Sequence, residues 1–220
     1  MSFHIDMKLA SISIEIHALK DGFELIESTI EKLNDNEKDK LEKALRNGLC
    51  KNDEDLIDLH RELNDKVNVF YPRLFWGPYL ISIFSVFESC TQEITEYIRE
   101  NKECSLRLDD IKGDLLKKLK IYYPSVLNND FFLNHRTWKK LNDLSKIRNC
   151  FAHSNGRLNY LKPNKHDGVI LKLIEQNVGV SEHLGVVVVS SKFVKNCLDS
   201  VLEVIEGLKD QYIKIYDTMM

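Results

Sequence analysis

Between Ile5 and Leu33 the chain reads IDMKLASISIEIHALKDGFELIESTIEKL, with apolar residues recurring in alternating steps of four and three. This spacing places them along one side of an α-helix. They are Ile5, Leu9, Ile12, Ile16, Leu19, Phe23, Ile26, Ile30 and Leu33. The pattern predicts one long N-terminal helix packed in a bundle, and an intermolecular coiled coil is the alternative that the same seam allows. We expect the helix to end at Asn34–Asn36.

Helical periodicity continues through most of the remaining sequence. The segment Pro78–Asn101 begins with residues that are apolar nearly all round, which predicts a central helix. Ser190 or Ser191 can cap a last helix, whose apolar residues again repeat in steps of four and three. The other predicted helices cover about residues 37–49, a segment capped by Asn52-Asp53, and about residues 108–122 and 135–152.

The strand-like sequences lie before the last helix. Val169–Ile174 and Val186–Val189 flank a turn-rich segment, which predicts a β-hairpin at about residues 169–189. Tyr71-Pro72 marks the predicted boundary between the N-terminal helical extension and the bundle core. The predicted fold is therefore mainly α. It is an antiparallel helical bundle over residues 71–220, with the hairpin inserted before the last helix, and residues 1–70 form a helical extension packed on this core.

The composition limits the classes of protein to which the chain can belong. Its 220 residues include 31 basic and 34 acidic ones, which gives a net charge of −3. Hydrophobic residues make up 43% and charged residues 30%, a globular composition that excludes a disordered chain. The near-neutral net charge argues against a protein that coats long stretches of nucleic acid. It is compatible with a small basic cleft on the surface.

The sequence carries no signal for a membrane or an oxidising compartment. Its most apolar stretch, Trp76–Phe87, contains Gly77 and Pro78 and is much shorter than the roughly 20 residues that a bilayer requires. The N-terminus has no signal-peptide pattern. The five cysteines are odd in number and contain no CxxC pair, so neither a zinc knuckle nor a redox motif is predicted. We expect a reduced, cytoplasmic protein.

The GxxxxGK[ST], GxGxxG, GxSxG and HExxH signatures of common enzyme classes are absent. Residues that could take part in catalysis cluster in one segment. It is Ile147–Arg157 (IRNCFAHSNGR), at the end of an amphipathic helix. Asn149 and His153 are neighbours four positions apart, so the amide can orient the imidazole. Arg148 points about 140° away from His153 on an ideal helix. The two side chains therefore meet on one phosphate only if the helix ends at Ala152 or a second copy lends its groups.

Arg148, Asn149 and His153 together resemble the Rx4–6H motif of HEPN domains (higher eukaryotes and prokaryotes nucleotide-binding), in which a polar residue commonly follows the arginine. The resemblance covers about residues 70–216. It implies an α-helical bundle that dimerises and assembles its active site from both copies of the motif. It also implies a metal-independent ribonuclease of the kind found in toxin–antitoxin pairs and antiviral defence. The helix holding Glu88 would correspond to the family's first core helix.

The residue types fit RNA cleavage without a metal or a cofactor. Imidazole titrates near neutral pH, so His153 suits the roles of base towards the 2′-OH and acid towards the leaving 5′-oxygen. Arg148 stays charged and can bind the phosphate oxygens as negative charge builds on them. The expected products are a 2′,3′-cyclic phosphate and a 5′-hydroxyl.

Four further residues are weaker candidates for the site. Arg157 and Lys162 can bind the RNA backbone while Tyr160 stacks on a base, and a solvated basic loop is the alternative. Glu88 directly follows an apolar stretch. It is either an acid on the helix surface or a buried carboxylate that orients a basic partner.

The sequence thus favours an endoribonuclease that acts on RNA as a homodimer, as a toxin or antiviral effector. The alternative is a non-catalytic HEPN-like module that dimerises and binds a partner protein or a nucleotide. In that case Arg148 is a surface ion-pair residue and His153 a cation favoured by the helix C-terminus. A third interpretation is a toxin silenced by an antitoxin of nucleotidyltransferase type. The resemblance implies modification near the motif, and Tyr160 is the nearest hydroxyl of that kind.

Overall fold

The computed structural model describes residues 3–48, 52–133, 136–160 and 167–219. It is mainly helical, with a small antiparallel hairpin before the last helix, so the predicted mainly α fold is confirmed. The α-helices are α1 (Phe3–Arg46), α2 (Asp53–Asp65), α3 (Tyr71–Asn101), α4 (Leu115–Ser125), α5 (Trp138–Ser154), α6 (Asp167–Glu175) and α7 (Ser191–Met219). The strands are β1 (Val180–His183) and β2 (Val186–Val189). A π-helical turn covers Lys66–Phe70, and 3-10 turns cover Leu108–Asp110 and Leu158–Tyr160.

The chain forms two compact units that interleave along the sequence. The first comprises Met1–Leu19, Ser82–Ser145 and Asn196–Met220, and the second comprises Lys20–Ile81 and Lys146–Lys195. These units differ from the ranges 1–70 and 71–220, and that division stays a prediction. Within the described residues, no helix is long and apolar enough to cross a bilayer.

The first unit has an aromatic core. The rings of Tyr123 and Phe132 meet edge to face at 4.6 Å between centroids, and the Tyr123 hydroxyl lies 3.0 Å from Oγ1 of Thr95. Two cysteines of this unit, Cys90 and Cys197, are buried, and burial raises the pKa of each thiol to about 12. Neither is a thiolate nucleophile at neutral pH.

The second unit is centred on aromatic side chains of α1 and α3. Phe23 stacks on Trp76 at 5.1 Å between ring centroids, and Tyr79 contacts both rings. Trp76 is only 2% exposed, so it is a packing residue. Lys195, at the start of α7, places its ammonium 5.4 Å from the centroid of Phe23. These contacts bind α1, α3 and the first turn of α7 around one core.

The long first helix extends past its predicted end, because Asn34–Asn36 does not interrupt α1. Asparagine and aspartate cost only about 0.7 kcal/mol relative to alanine inside a helix. The buried Glu37 follows them and accepts hydrogen bonds from Lys40 of the same helix and from the hydroxyl of Tyr71. This anchor holds α1 helical beyond the asparagines, and residues 37–46 therefore continue α1 instead of forming a separate helix.

The third helix begins at Tyr71, seven residues before the predicted start at Pro78. α2, the π-helical turn and α3 follow one another directly, so the backbone is already helical when it reaches the prolines. Pro78 cannot donate a hydrogen bond to the carbonyl of Leu74. Leu74 is 58% exposed, so water can bind that carbonyl instead and the helix continues.

The hairpin has a different first strand from the predicted one. Val169–Ile174, predicted to be a strand, lies in α6, and β2 pairs with β1 instead, in the register Val180 to Val189 and His183 to Val186. A short apolar run does not distinguish a strand from a buried helix. Here Ile170 and Leu173 are buried and Leu171 is exposed, which is helical spacing. The predicted second strand and the helix cap at Ser190 are confirmed, since Oγ of Ser190 accepts a hydrogen bond from the backbone of Phe193 at 3.2 Å.

Candidate functional site

The Arg148–His153 motif lies at the C-terminal end of α5, as predicted, within the second unit. The helix runs through His153 to Ser154, so the imidazole projects from a helical residue. Asn155 and Gly156 then both adopt positive φ values, of 50° and 77°. Two successive left-handed residues end an α-helix, and glycine tolerates this conformation best.

Backbone hydrogen bonds fasten this helix end. The amide of Asn155 donates to the carbonyl of Phe151 at 2.9 Å, and the amide of Gly156 donates to the carbonyl of Cys150 at 3.3 Å. The hydroxyl of Ser154, which is buried, donates to the same Cys150 carbonyl at 2.7 Å. The carbonyls of Cys150 and Phe151 thus accept hydrogen bonds from residues that follow His153, and these bonds hold the helix end that carries the imidazole.

The two motif side chains occupy different environments. Arg148 is half-buried and His153 is exposed. Because the helix stays regular past His153, the two directions remain about 140° apart. An early helix end at Ala152, one of the two ways to bring the side chains together in a single copy, is therefore not available.

Asn149 contacts the arginine of the motif. Its Oδ1 accepts a hydrogen bond from Nη1 of Arg148 at 3.0 Å. No hydrogen bond joins Asn149 to His153 in the part of the chain that the structure describes, so the orienting bond expected from their spacing is not formed. The amide instead directs the guanidinium, since a planar fork that is held on one side has fewer orientations.

Phe151 fixes α5 against α3. Its ring fills a notch between Gly77 and Gly156, and it is only 5% exposed. A β-carbon on Gly77 would lie 2.5 Å from Cδ1 of the ring, and one on Gly156 would lie 3.0 Å from Cε1. The close approach of the ring to both backbones requires glycine at both positions. The contact holds the turn of α5 that carries His153, two residues after Phe151.

Arg73 supports the site, and the sequence did not indicate it. It lies in the first turn of α3, is 8% exposed, and donates from Nε to the carbonyl of Asn155 at 3.0 Å. A cation at a helix C-terminus is stabilised by the partial negative charge there. Because 82 positions separate the two residues, no local pattern could have shown the contact.

The segment after the motif lies along the hairpin. The carbonyl of Gly156 accepts from the amide of Val187 at 2.8 Å, and the amide of Leu158 donates to the carbonyl of Gly185 at 2.9 Å. Arg157 and Tyr160, predicted to contact RNA, are exposed on this segment, with Tyr160 71% exposed. The hairpin therefore holds both residues near the end of α5.

The remaining candidate residues are Lys162 and Glu88. Lys162 falls outside the described residues. Glu88 is a half-buried residue of α3 that belongs to the first unit, whereas the motif belongs to the second. Its proposed orienting role stays a prediction.

No metal centre is present among the described residues, where no three His, Cys, Asp or Glu side chains group closely enough to hold an ion. No family model, curated protein or solved structure matches the chain.

Proposed function

We propose that the protein is a metal-independent endoribonuclease of HEPN type, acting in the cytoplasm as a toxin or antiviral effector. The observation that carries the proposal is that a half-buried Arg148 and an exposed His153 both lie in the last turns of α5. Of the two, only the imidazole is freely exposed to solvent, as a group that exchanges protons with a bound substrate has to be. The arginine is held by Asn149, as a group that binds a phosphate in a fixed orientation has to be.

The reaction uses the nucleophile that RNA carries. The imidazole of His153 takes the proton of the 2′-OH as the 2′-oxygen bonds to phosphorus, and the resulting imidazolium gives that proton to the 5′-oxygen as the phosphorus–oxygen bond breaks. The guanidinium of Arg148 stabilises the negative charge on the two other phosphate oxygens. The products are a 2′,3′-cyclic phosphate and a 5′-hydroxyl.

The proposed enzyme is a homodimer. Arg148 and His153 of one copy diverge by about 140°, so the arginine of one subunit acts with the histidine of the other. Two-fold symmetry then gives the dimer two equivalent sites, each with one arginine and one histidine. Arg157 and Tyr160 are exposed on the neighbouring segment and serve to bind RNA, together with Lys162.

The experiment is cleavage of single-stranded RNA and transfer RNA in EDTA. We expect Arg148→Ala and His153→Ala to lower the rate by about 10²–10⁴-fold. His60→Ala is the matched control, because His60 is an exposed histidine on α2. The cyclic phosphate end is identified by mass spectrometry of the products. Full activity in either motif variant would remove the assigned roles.

A non-catalytic partner-binding module is the second candidate, and the half-buried Arg148 bonded to Asn149 favours it, since such a pair also serves packing. The stability of His153→Ala separates the two functions. An exposed residue with no described hydrogen bond contributes little to folding, so the nuclease proposal expects an unchanged melting temperature. Intact RNA together with a destabilised His153→Ala would favour the module.

Silencing by a nucleotidyltransferase-type antitoxin is a third element of the proposal, and the 71% exposure of Tyr160 supports it, because a modifying enzyme can reach the hydroxyl. Mass spectrometry after co-expression with the product of a neighbouring gene is the test. A mass increase on the peptide containing Tyr160, absent in Tyr160→Phe, is the expected result. An unmodified Tyr160 in a silenced complex would exclude this form of control.

A further inference from the structure

Lys146 lies on the same side of α5 as His153, two turns earlier in the helix. At 100° and 1.5 Å per residue, the two side chains leave the helix within about 20° of each other and about 10.5 Å apart along its axis. Asn149 lies between them, about 60° from Lys146 and about 40° from His153. All three belong to the second unit. We call Lys146, Asn149 and His153 the polar row.

The polar row carries hydrogen-bond donors that the fold does not use. Lys146 is half-buried, and its ammonium group has no ion pair or hydrogen bond with any residue that the structure describes. Oδ1 of Asn149 accepts from Arg148, while its Nδ2 has no acceptor in the described part of the chain. His153 is exposed and has no described partner either. An ammonium group that is partly removed from water gains from an anionic ligand.

The charge around the polar row is positive. Residues 144–166 include no aspartate or glutamate, whereas Arg148 and Arg157 add to the charge of Lys146. Burial raises the pKa of Asp143, the acid just before this segment, and Lys139 opposes that shift, so Lys146 is not its partner. The whole chain has a net charge of −3, so the segment is a local excess of positive charge that attracts a polyanion.

We propose that the polar row binds a phosphate of the RNA strand that flanks the scissile linkage. This inference rests on the proposed ribonuclease function, and it defines the substrate as a strand long enough to carry a second phosphate. Lys146 binds that phosphate as a point charge, and Nδ2 of Asn149 donates to the backbone between it and His153. Lys146 points about 160° away from Arg148, so it acts beside the histidine of its own subunit.

The first experiment measures binding without cleavage. Fluorescence anisotropy titrates the full chain against a short single-stranded 2′-O-methyl RNA, which has no 2′-OH to act as nucleophile. We expect Lys146→Met to raise Kd roughly tenfold and to lower the salt dependence, the slope of log Kd against log salt, by about 0.7, the value for one lost phosphate contact. Lys146→Arg should restore most of the affinity. Lys32→Met is the matched control, because it removes the same charge from an exposed position on α1.

The second experiment places the phosphate next to the scissile linkage. A single ribonucleotide in a DNA strand leaves one linkage that can be cleaved. A dinucleotide with only that phosphate should have the same low kcat/KM with the wild type and with Lys146→Met. Adding nucleotides on the flanking side should raise kcat/KM roughly tenfold for the wild type and not for Lys146→Met. Extensions on the 5′ and the 3′ side are compared, and the one that responds identifies the side on which Lys146 binds.

The two experiments separate this inference from the ribonuclease proposal. RNA binding that Lys146→Met weakens, together with no cleavage by the wild type, would leave the phosphate site standing and remove the nuclease function. Cleavage that responds to neither Lys146→Met nor the length of the strand would do the reverse. Equal affinities of Lys146→Met and Lys32→Met, or a polyglutamate that competes as well as RNA of equal charge, would also overturn the phosphate site.

Discussion

The ring of Phe151 lies against α3 at Gly77, where a β-carbon would come within 2.5 Å of ring atom Cδ1. Helix propensity alone favours Gly77→Ala by about 1 kcal/mol. Overpacking a buried ring costs about 1–3 kcal/mol. Because Phe151 is 5% exposed and held on its other side by Gly156, the ring has no room to move, and the second effect dominates.

We therefore expect Gly77→Ala to lower the free energy of unfolding, measured by urea denaturation. Phe151→Leu in the same chain should recover part of the loss, because the smaller side chain leaves room for the new methyl group. Gly168→Ala is the control, since a β-carbon there meets nothing within 4 Å. A Gly77→Ala variant as stable as Gly168→Ala would show that the notch around Phe151 is not tight.

Arg73 is expected to support the end of α5 through its bond to the Asn155 carbonyl. Arg73→Met keeps much of the aliphatic stem and removes the donor, so it should destabilise the fold by about 1.5–3 kcal/mol, the range for bonds to charged groups. Hydrogen exchange should rise first at the amides of Asn155 and Gly156. Arg61→Met, an exposed arginine of α2, is the control. Unaltered exchange at the end of α5 would contradict the supporting role.

Periodicity predicted the parts of the fold that local sequence determines. Ile12, Ile16 and Leu19 of the N-terminal seam are all buried, because a spacing of three and four leaves one face for the core. The predicted helix end at Asn34–Asn36 was wrong for a nonlocal reason. Glu37 is held by Tyr71, 34 positions away, and that contact leaves no trace in the sequence around Asn34.

The candidate site shows the same division between local and nonlocal information. The position of Arg148 and His153 at a helix end followed from the apolar spacing and the Asn155-Gly156 stop, both of which are local. The spacing did not predict the hydrogen-bond partner of Asn149, because that partner depends on the direction of the side chain. Oδ1 of Asn149 accepts from Arg148 and not from His153. Arg73 required the tertiary structure, because its partner Asn155 is 82 positions away. The first strand was missed although it is local, because only Val180 of β1 is buried and the strand has no apolar run.

Leu184 forms the tip of the hairpin in an unfavourable conformation. Its φ is 50° and its side chain is 85% exposed, so a branched residue is held in the left-handed region without packing contacts to compensate. Asparagine tolerates this region better. Leu184→Asn should therefore stabilise the protein by about 1 kcal/mol in thermal unfolding. Leu171→Asn, on a helix at 48% exposure, should instead destabilise it. A loss of stability in Leu184→Asn would indicate that the leucine makes a contact in solution.

Glu37 gives the fold a dependence on pH. The hydrogen bond from Lys40 lowers the pKa of this carboxyl most, and burial opposes the shift, while Tyr71 and Lys66 add to the lowering. A folded-state pKa below the unfolded value means that the stabilisation is complete above the unfolded pKa, about 4.3, and disappears as the pH falls through the folded value.

The difference in unfolding free energy between the wild type and Glu37→Gln should thus be largest near pH 7 and shrink below pH 4. Glu42→Gln, at an exposed pair with Arg46, should show little difference at either pH. A pH-independent difference for Glu37→Gln would show that the carboxylate charge contributes nothing.

The divergence of Arg148 and His153 leads to a test of the shared active site. If each site combines the arginine of one subunit with the histidine of the other, Arg148→Ala and His153→Ala are both inactive as homodimers, but a heterodimer of the two retains one intact site. Random pairing makes half of the dimers heterodimers, so an equimolar, unfolded and refolded mixture should recover about one quarter of the wild-type rate.

The measurement is RNA cleavage in EDTA, and native mass spectrometry counts the heterodimers. A mixture of Arg148→Ala with His60→Ala is the control, because only one of its two chains lacks a motif residue. That control mixture also carries one complete site in each heterodimer, and full sites in the His60→Ala homodimers, so it should exceed the test mixture. Heterodimers present without activity would mean that each linkage needs both arginines and both histidines, and activity in a monomeric fraction would exclude the shared site altogether.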